Sequence, residues 1–409
     1  MNIGPILRAM KHNRTRVVLI VLEIAITFAI VTNCVNVILA ERKKMSKPSG
    51  FDDDNILRVH TRPFAPEFAE GSYIDTAIDA DLRVLSAIPG VRAAANTNFQ
   101  MWEGGGSSSA YVPAGSARTD GPQVQTYYST YDIANTLGLK ITTGRAFRQS
   151  DHGIGTQPDP LSVALISRDA AKALFGDENP VGKALQRQDK GAPPFTIVGV
   201  IEEFYNPFGI NDENGMSTRA ILRPARVGSA QRGISYLVRV EPGAMDSVIA
   251  EVEKRLTAAN PGRVIETETM LGKRNRWFSG STVVVTTMTC IILALIVVTA
   301  LGLLGLTSLA VAERRKQIGT RRALGATRAD ILRYFLIENW LVTTAGLALG
   351  VAGAFALNVL LVSRISDVKM QWELVVAGMV LLWLNSLAST VPPALRAMYI
   401  PPSIATRSV

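Results

Sequence analysis

Residues 312–332 read AERRKQIGTRRALGATRADIL and join two long apolar segments. The stretch up to Leu324 favours a helix and is rich in arginine and lysine. Gly325 is a typical helix stop, and Thr327, followed three residues later by Asp330, resembles a capping box that begins the next helix. The segment therefore predicts a short basic helix, a glycine elbow and a new helix. That is more structure than a loop needs merely to orient a membrane protein.

The neighbouring apolar segments belong to a set of four that are each long enough to cross a bilayer, which takes about 20 mainly apolar residues. The chain has 409 residues and is 47% hydrophobic. Its mean hydropathy of +0.19 is high for a chain with 19% charged residues. The apolar runs are residues 17–39, 283–311, 337–362 and 374–398. The segment between the first two runs has an ordinary soluble composition and is long enough for a folded domain.

These runs predict an α+β membrane protein with four transmembrane helices. A large extracytoplasmic α/β domain lies between helices 1 and 2 and is split into two subdomains. We expect helix 1 to be an uncleaved signal anchor, because residues 40–43 are a poor cleavage site. The predicted segments are an amphipathic cytoplasmic elbow helix (1–16), transmembrane helix 1 (17–40), the extracytoplasmic domain (41–281), transmembrane helix 2 (282–311), a cytoplasmic loop (312–332), transmembrane helices 3 (333–362) and 4 (374–398), and a cytoplasmic tail (399–409).

The net charge of +9 gathers at the ends of the apolar runs. Arg14 and Arg16 precede the first run, and residues 314–328 carry a second basic cluster. Short basic loops stay in the cytoplasm, so both termini are predicted inside and the large domain outside. The basic residues at 43–47 and 273–276 oppose this orientation, but they flank a long translocated domain, where the rule is weak. The charge distribution indicates contact with membrane lipids and no nucleic acid.

The external domain shows two strand–helix–strand units near its ends. The first comprises a strand at 55–61, a helix at 74–87 and a strand at 91–95. The second repeats this order over residues 234–267. We expect the units to form one α/β subdomain from about 50–100 and 229–270, with about 100–228 inserted as the other.

No pattern in the chain predicts catalysis. Residues 176–184, GDENPVGKA, end like a phosphate-binding loop, but five residues separate the two glycines and Ala184 replaces the hydroxyl that would hold magnesium. We interpret this stretch as a helix end, a turn and the start of a strand. The three histidines are scattered, so no metal site is predicted, and Cys34 and Cys290 are expected to be small buried apolar residues.

Two features inside the apolar runs predict a role within the membrane, one an acidic residue and the other a set of spaced glycines. Glu23 lies within the first run and must face a partner helix, a cavity or the interface. Gly346, Gly350 and Gly353 lie on the third run at a spacing that allows close helix packing, either within the chain or across a dimer.

The stretches ERRKQIGTRRALGA and ADILRYFLIE resemble the C-terminal permease signature of FtsX-like and MacB-type ABC transporter subunits. The stretch LRAMKHNRTRVVLIVLEIAIT is similar to the family's first helix. ANTLGLKITTGRAF, ALISRDAAKALFGDENPVGKAL and FTIVGVIEEF are similar to the MacB-type periplasmic core, and VPPALRAMYIPPSIA to the closing segment. Gln317 stands where the family usually has an acidic residue. Without that acid, a specific ion pair between this position and the ATPase subunit of the transporter is weakened. The matching positions are Glu313, Arg314, Ile318, Gly319, Arg322, Ala323, Leu324, Gly325 and Ala326.

The resemblance implies a non-catalytic permease subunit of the bacterial inner membrane, which couples ATP hydrolysis on another chain to changes in the periplasmic domain and to export of an antibiotic, peptide or other amphiphile. ATP and magnesium would bind the separate ATPase, and this chain would hold no cofactor. A second permease, identical or not, and, in a tripartite assembly, a periplasmic adaptor and an outer-membrane channel are the other implied partners. The alternatives are an FtsX-like signalling scaffold that activates a cell-wall hydrolase and a lipoprotein-releasing permease. The implied coupling residues are Glu313, Arg314, Arg315, Gln317, Ile318, Gly319, Arg322, Ala323, Leu324, Gly325, Ala326 and Thr327.

Overall fold

The computed structural model describes residues 14–104, 106–151, 163–188, 193–207, 215–362 and 370–401. The chain divides into two compact units, an external unit of residues 47–279 and a membrane unit formed by residues 1–46 and 280–409. The amphipathic helix predicted before residue 14 and the tail beyond residue 401 lie outside the described residues.

The helices are α1 (Arg14–Met45), α2 (Gly71–Ser86), α3 (Ile133–Leu137), α4 (Arg168–Phe175), α5 (Met245–Ala259), α6 (Met270–Trp277), α7 (Ser279–Glu313), α8 (Arg315–Ala323), α9 (Arg328–Val362) and α10 (Trp372–Met398). The strands are β1 (Ile56–Pro63), β2 (Val91–Asn96), β3 (Ser107–Pro113), β4 (Gln123–Ser129), β5 (Ile141–Gly144), β6 (Val163–Ser167), β7 (Ala184–Arg187), β8 (Phe195–Ile201), β9 (Ala220–Pro224), β10 (Gly228–Ser229), β11 (Gly233–Val240) and β12 (Arg263–Thr269).

The first sheet of the external unit is antiparallel and joins the two ends of that unit. Its order is β10-β11-β1-β12, and β2 also pairs with β11, along residues 236–240. Helices α2 and α5 pack against its apolar side chains. Val248, Val252 and Leu256 recur every fourth residue on α5, so they share one buried face, as expected for an amphipathic helix.

Among the described residues, the second sheet has seven strands in the order β5-β8-β6-β9-β4-β3-β7. Strand β7 also pairs with β8, which closes six of these strands into a ring. Helix α4 packs against this sheet through Ala170, Ala171 and Leu174. The strand–helix–strand elements therefore form where the sequence predicts them, with a second sheet drawn from residues 107–224. The exact subdomain boundaries stay a prediction.

The stretch 176–184 forms a turn in the external unit. Helix α4 ends at Phe175, its C-cap Gly176 has φ 65°, and β7 begins at Ala184. The Asn179 side chain accepts a hydrogen bond from the Val181 amide at 3.1 Å, and the Lys183 amide donates to the Pro180 carbonyl at 3.1 Å. The interpretation of this stretch as a helix end, turn and strand start is confirmed.

In the part of the membrane unit that the structure describes, four helices are long and apolar enough to cross a bilayer: α1, α7, α9 and α10. Helices α7 and α9 each have 35 residues, which at 1.5 Å per residue is about 52 Å and exceeds the bilayer core of about 30 Å. The helices therefore extend past the predicted spans. The external unit, residues 47–279, begins after α1 ends at Met45 and ends where α7 begins, and the predicted bounds 41–281 stay a prediction.

Helix α1 is the centre of the membrane unit. Its Ile24 and Phe28 are buried among apolar side chains of α9 and α10, including Leu347 and Leu382. Helix α7, in contrast, leaves most of its apolar surface exposed. Cys34 is buried on α1, but Cys290 lies on the exposed surface of α7, so the expectation that both cysteines are buried was wrong for Cys290.

Candidate coupling site

The segment from Glu313 to Thr327, here called the elbow, links α7 to α9 through the short helix α8. Arg314 lies between α7 and α8 at φ −93° and ψ 9°. The chain turns at Gly325, whose φ of 100° is a conformation that residues other than glycine rarely adopt. The local signals in the sequence therefore produced a helix, a glycine turn and a new helix.

A capping box begins α9. The Asp330 carboxylate accepts a hydrogen bond from the Thr327 amide at 3.0 Å, and the Asp330 amide donates to the Thr327 hydroxyl at 3.2 Å. These bonds occupy backbone groups that the first turn of a helix leaves free. They stabilise the start of α9 directly after the turn at Gly325.

One face of α8 is attached to the membrane helices. Ile318 is buried with Ile331 and Phe335 of α9, and with Ala394 and Ala397 of α10. The Arg322 guanidinium donates to the Ile400 carbonyl at 2.7 Å, just after α10 ends. Gly319 is buried beside Ile318. A displacement of α8 would therefore act on both α9 and α10.

The other face of the elbow is open. Leu324 at the tip is 84% exposed, more than any other large apolar side chain among the described residues. The predicted coupling residues thus divide into two groups. Those packed inward wholly or in part are Arg314, Ile318, Gly319, Arg322 and Ala326, and those exposed are Glu313, Arg315, Gln317, Ala323, Leu324, Gly325 and Thr327.

A buried carboxylate holds the joint between α7 and α8. Glu338 on α9 is 4% exposed. Its Oε2 accepts a hydrogen bond from Arg314 Nη1 at 2.8 Å, and Arg314 Nη1 also lies 3.3 Å from the Tyr334 hydroxyl. The Oε1 of Glu338 lies 3.8 Å from Nη2 of Arg16, near the start of α1. Three helices therefore meet at one acid.

Glu338 is the last residue of the stretch ADILRYFLIE, which resembles the family signature, but the sequence alone assigns it no role. One signal was available, since an acid in a run as apolar as residues 337–362 needs a partner. The partners themselves were not predictable, because Arg16 is far away in the sequence and only the packing of α1 on α9 brings it close.

The three predicted packing glycines lie at the seam between α9 and α1. A methyl group on Gly346 would fall 2.9 Å from Ile24, and one on Gly350 would fall 3.0 Å from the Ala25 carbonyl oxygen. Gly353 faces Ala29 with ordinary contact room. The absence of side chains at Gly346 and Gly350 is what lets the two helices approach this closely. The structure thus places these glycines at a seam within the chain.

Glu23, the other predicted intramembrane site, lies half-exposed on α1 with its carboxylate against the backbone of Gly302 on α7. Glu23 directly precedes Ile24 in the chain, but its side chain is not part of the group formed by Glu338, Arg314 and Arg16. Within the described ranges, no group of three or more histidine, cysteine or acidic side chains could hold a metal ion. His60 bonds Ser235 Oγ through Nδ1 at 2.8 Å, and the other two histidines lie outside the described residues.

Two family models match the chain. Residues 17–255 match the MacB-like periplasmic core domain, and residues 289–402 match the FtsX-like permease C-terminal domain. Together they include α1, much of the external unit and the elbow.

The curated relatives of the chain are named as ATP-binding/permease or permease proteins. The macrolide export ATP-binding/permease protein MacB of Hahella chejuensis is 25% identical over 375 residues, which is 89% of this chain and 53% of the relative. Its namesake in Neisseria meningitidis is 27% identical over 64% of this chain and 41% of the relative. The uncharacterized ABC transporter permease YknZ of Bacillus subtilis is 28% identical over 67% of each chain. This chain spans about half the length, or less, of the macrolide export relatives.

Solved structures show a weaker likeness. The periplasmic region of MacB from Actinobacillus actinomycetemcomitans aligns over 56% of this chain and 94% of its own at 16% identity, with a TM-score of 0.35. The extracellular domain of YknZ aligns at a TM-score of 0.33. Scores this low support no further inference.

Proposed function

Since the chain belongs to the family of the MacB-like periplasmic core domain, with an FtsX-like permease C-terminal domain, we propose that it is the permease subunit of a MacB-like ABC transporter in a bacterial inner membrane. A separate ATPase binds ATP and magnesium, and this chain converts the ATPase cycle into movement of the membrane helices and the external domain. The exported substrate is an antibiotic, a peptide or another amphiphile.

The observation that carries this proposal is the two-faced elbow. Its inner face is attached to α9 and α10 by Ile318 and Arg322, and its outer face presents an exposed Leu324 among basic residues. A rigid segment with one attached and one free face is suited to receive a partner. The ATPase would contact the free face, and the attached face would transmit the motion.

The rest of the assembly follows from the same premise. Both termini lie in the cytoplasm with the elbow, and the external unit lies on the other side. The permease works as a pair, with a second copy or a sister chain, and the exposed surface of α7 faces lipid or that partner. A periplasmic adaptor and an outer-membrane channel complete a tripartite assembly. Glu23 is a polar site in the membrane.

The first experiment is to purify the tagged chain with its co-purifying partners and to measure ATP hydrolysis. The complex is expected to hydrolyse ATP, and the chain stripped of partners to show no turnover. Turnover by the isolated chain would overturn the assignment. Recovery of a cell-wall hydrolase, with no adaptor and no export defect on deletion, would point to a signalling scaffold instead.

The second experiment tests the elbow itself. Gly325→Val places a β-branched residue at φ 100°, which costs about 1–3 kcal/mol of backbone strain and distorts the turn. Substrate-stimulated ATP hydrolysis is expected to fall about tenfold. Gly182→Val is the matched control, because Gly182 also has a positive φ, 86°, and open surroundings but lies in the external turn. Equal stimulation in the two variants would refute the role of the elbow.

A further inference from the structure

The buried acid Glu338 connects the elbow to two membrane helices. It lies ten residues after the start of α9 at Arg328, roughly 15 Å along the helix axis. Its two carboxylate oxygens face different helices, with Oε2 bonded to Arg314 at the elbow joint and Oε1 directed toward Arg16 on α1. A movement of Arg314 therefore changes the electrostatic surroundings of α1 and α9 together.

The two arginines are held unequally. Arg314 is within hydrogen-bond distance of the carboxylate, at 2.8 Å, and also reaches the Tyr334 hydroxyl. Arg16 is 3.8 Å away, beyond hydrogen-bond distance. Among the described residues, the Nε and Nη1 atoms of Arg16 are buried without a hydrogen-bond partner. Because an unsatisfied buried charged group is costly, Arg16 gains if the carboxylate turns toward it.

The position of Arg314 decides what would make the carboxylate turn. Arg314 is the residue between the last turn of α7 and the first of α8. A partner that pulls on α8 therefore moves the Arg314 side chain before it moves the centre of α9. Glu338 would then be left with one cation in place of two, and Arg16 is already beside it.

We propose that Glu338 is a positioning residue for coupling, a shared carboxylate that holds Arg314 when the elbow is docked and passes to Arg16 when the elbow is displaced. This inference rests on the proposed function of the elbow as the surface that receives the ATPase. The exchange links elbow position to the seam between α1 and α9, where Gly346 and Gly350 bring the two helices together.

The first arm of the test needs no ATPase. Spin labels are placed at the exposed positions Leu324 and Trp372 of the full chain, with both native cysteines replaced, in lipid nanodiscs. Pulsed electron paramagnetic resonance then gives the distance distribution. Glu338→Gln and Arg314→Gln are each expected to broaden it, and the double variant to broaden it no further. Arg333→Gln, an exposed charge on the same helix, is the matched control.

The Arg16→Gln variant distinguishes a positioning role of Glu338 in coupling from a purely structural role. It leaves the bond between Glu338 and Arg314 in place, so the distance distribution is expected to match the control. In the complex with the co-purified ATPase, however, the carboxylate has no second partner, so substrate stimulation of ATP hydrolysis is expected to fall by about tenfold. A purely structural Glu338 would predict full stimulation in this variant.

The outcomes are distinct. A distance distribution in Glu338→Gln that matches Arg333→Gln overturns the role of Glu338, and full stimulation in Arg16→Gln overturns the exchange. If Glu338→Gln does not fold, Arg314→Gln and Arg16→Gln decide alone by the same criteria. If the wild-type complex shows no ATP hydrolysis, the proposed function fails, while the distance measurements still decide whether Glu338 holds the elbow.

Discussion

Two buried acids, one in each unit of the molecule, are held in opposite ways. In the external unit, Asp81 on α2 accepts hydrogen bonds from the Tyr236 hydroxyl and from both terminal nitrogens of Arg263, one of them at 2.6 Å. In the membrane unit, Glu338 has one bonded arginine and a second at 3.8 Å. Asp81 is fixed on both oxygens by groups of one sheet, whereas Glu338 is shared between helices. The arrangement at Asp81 stabilises one fold of the external unit, whereas Glu338 has a second arginine with which it could pair.

The largest effect is expected from Asp81→Asn. It removes the negative charge that compensates Arg263, which is fully buried. Breaking a buried pair by removing one partner costs about 3–5 kcal/mol. The external unit should therefore unfold at a clearly lower temperature, as followed by hydrogen exchange of β1 and β11 in the full chain. Asp79→Asn is the control, since Asp79 is 47% exposed where it pairs with Arg226, and such pairs are worth about 1 kcal/mol or less.

An intermediate effect is expected at the membrane acid. Arg314→Met removes the charged hydrogen bond to Glu338, and such bonds contribute about 1.5–3 kcal/mol. Arg16→Met removes only the longer contact, together with a guanidinium whose Nε and Nη1 are buried without a hydrogen-bond partner, so its loss is expected to be smaller than that of Arg314→Met. Thermal unfolding of the two variants in the same detergent measures the difference. Equal losses would mean that the carboxylate holds both arginines alike and that the contrast with Asp81 is smaller than the distances suggest.

A smaller effect is expected when the whole external cluster becomes apolar. Asp81→Leu, Arg263→Met and Tyr236→Phe together remove the charges and the hydroxyl that bonds them. Replacing a complete buried ion pair by apolar residues is often neutral or stabilising. The triple variant should therefore lie within about 1 kcal/mol of the wild type, while Asp81→Asn alone does not. A triple variant as unstable as Asp81→Asn would show that the charges themselves stabilise this sheet.

The sequence predicted the local features and missed the distant pairings, and the elbow shows why. The basic helix, the turn at Gly325 and the capping box at Thr327 and Asp330 depend on residues that are close in the chain, so their patterns were readable. The strand–helix–strand units were readable for the same reason. Glu338 and Arg16 come together only when α1 packs on α9, and no local pattern encodes that distance.

The same distinction applies to the second sheet. Its strands are short, and the ring closes because β7 pairs with both β3 and β8. Pairings of this kind depend on register across distant segments, which the sequence of a single strand does not specify. Gly346 and Gly350 show the same limit of a local pattern. Their spacing predicted close helix packing but did not identify the partner helix, which is α1.

The smallest effect is expected from His60, which adds a pH test to the external unit. Burial, and next the positive charge of Arg58, lower the pKa of His60 below its ordinary value of 6.5. Below pH 6.5 the unfolded chain binds a proton that the folded chain does not, so stability falls as the pH falls. Between pH 7.5 and 5.5, the wild type should lose slightly more thermal stability than His60→Gln. The change of thermal stability with pH is compared between the two proteins, which separates the contribution of His60 from that of the carboxylates. An identical pH dependence in both would contradict the lowered pKa of His60.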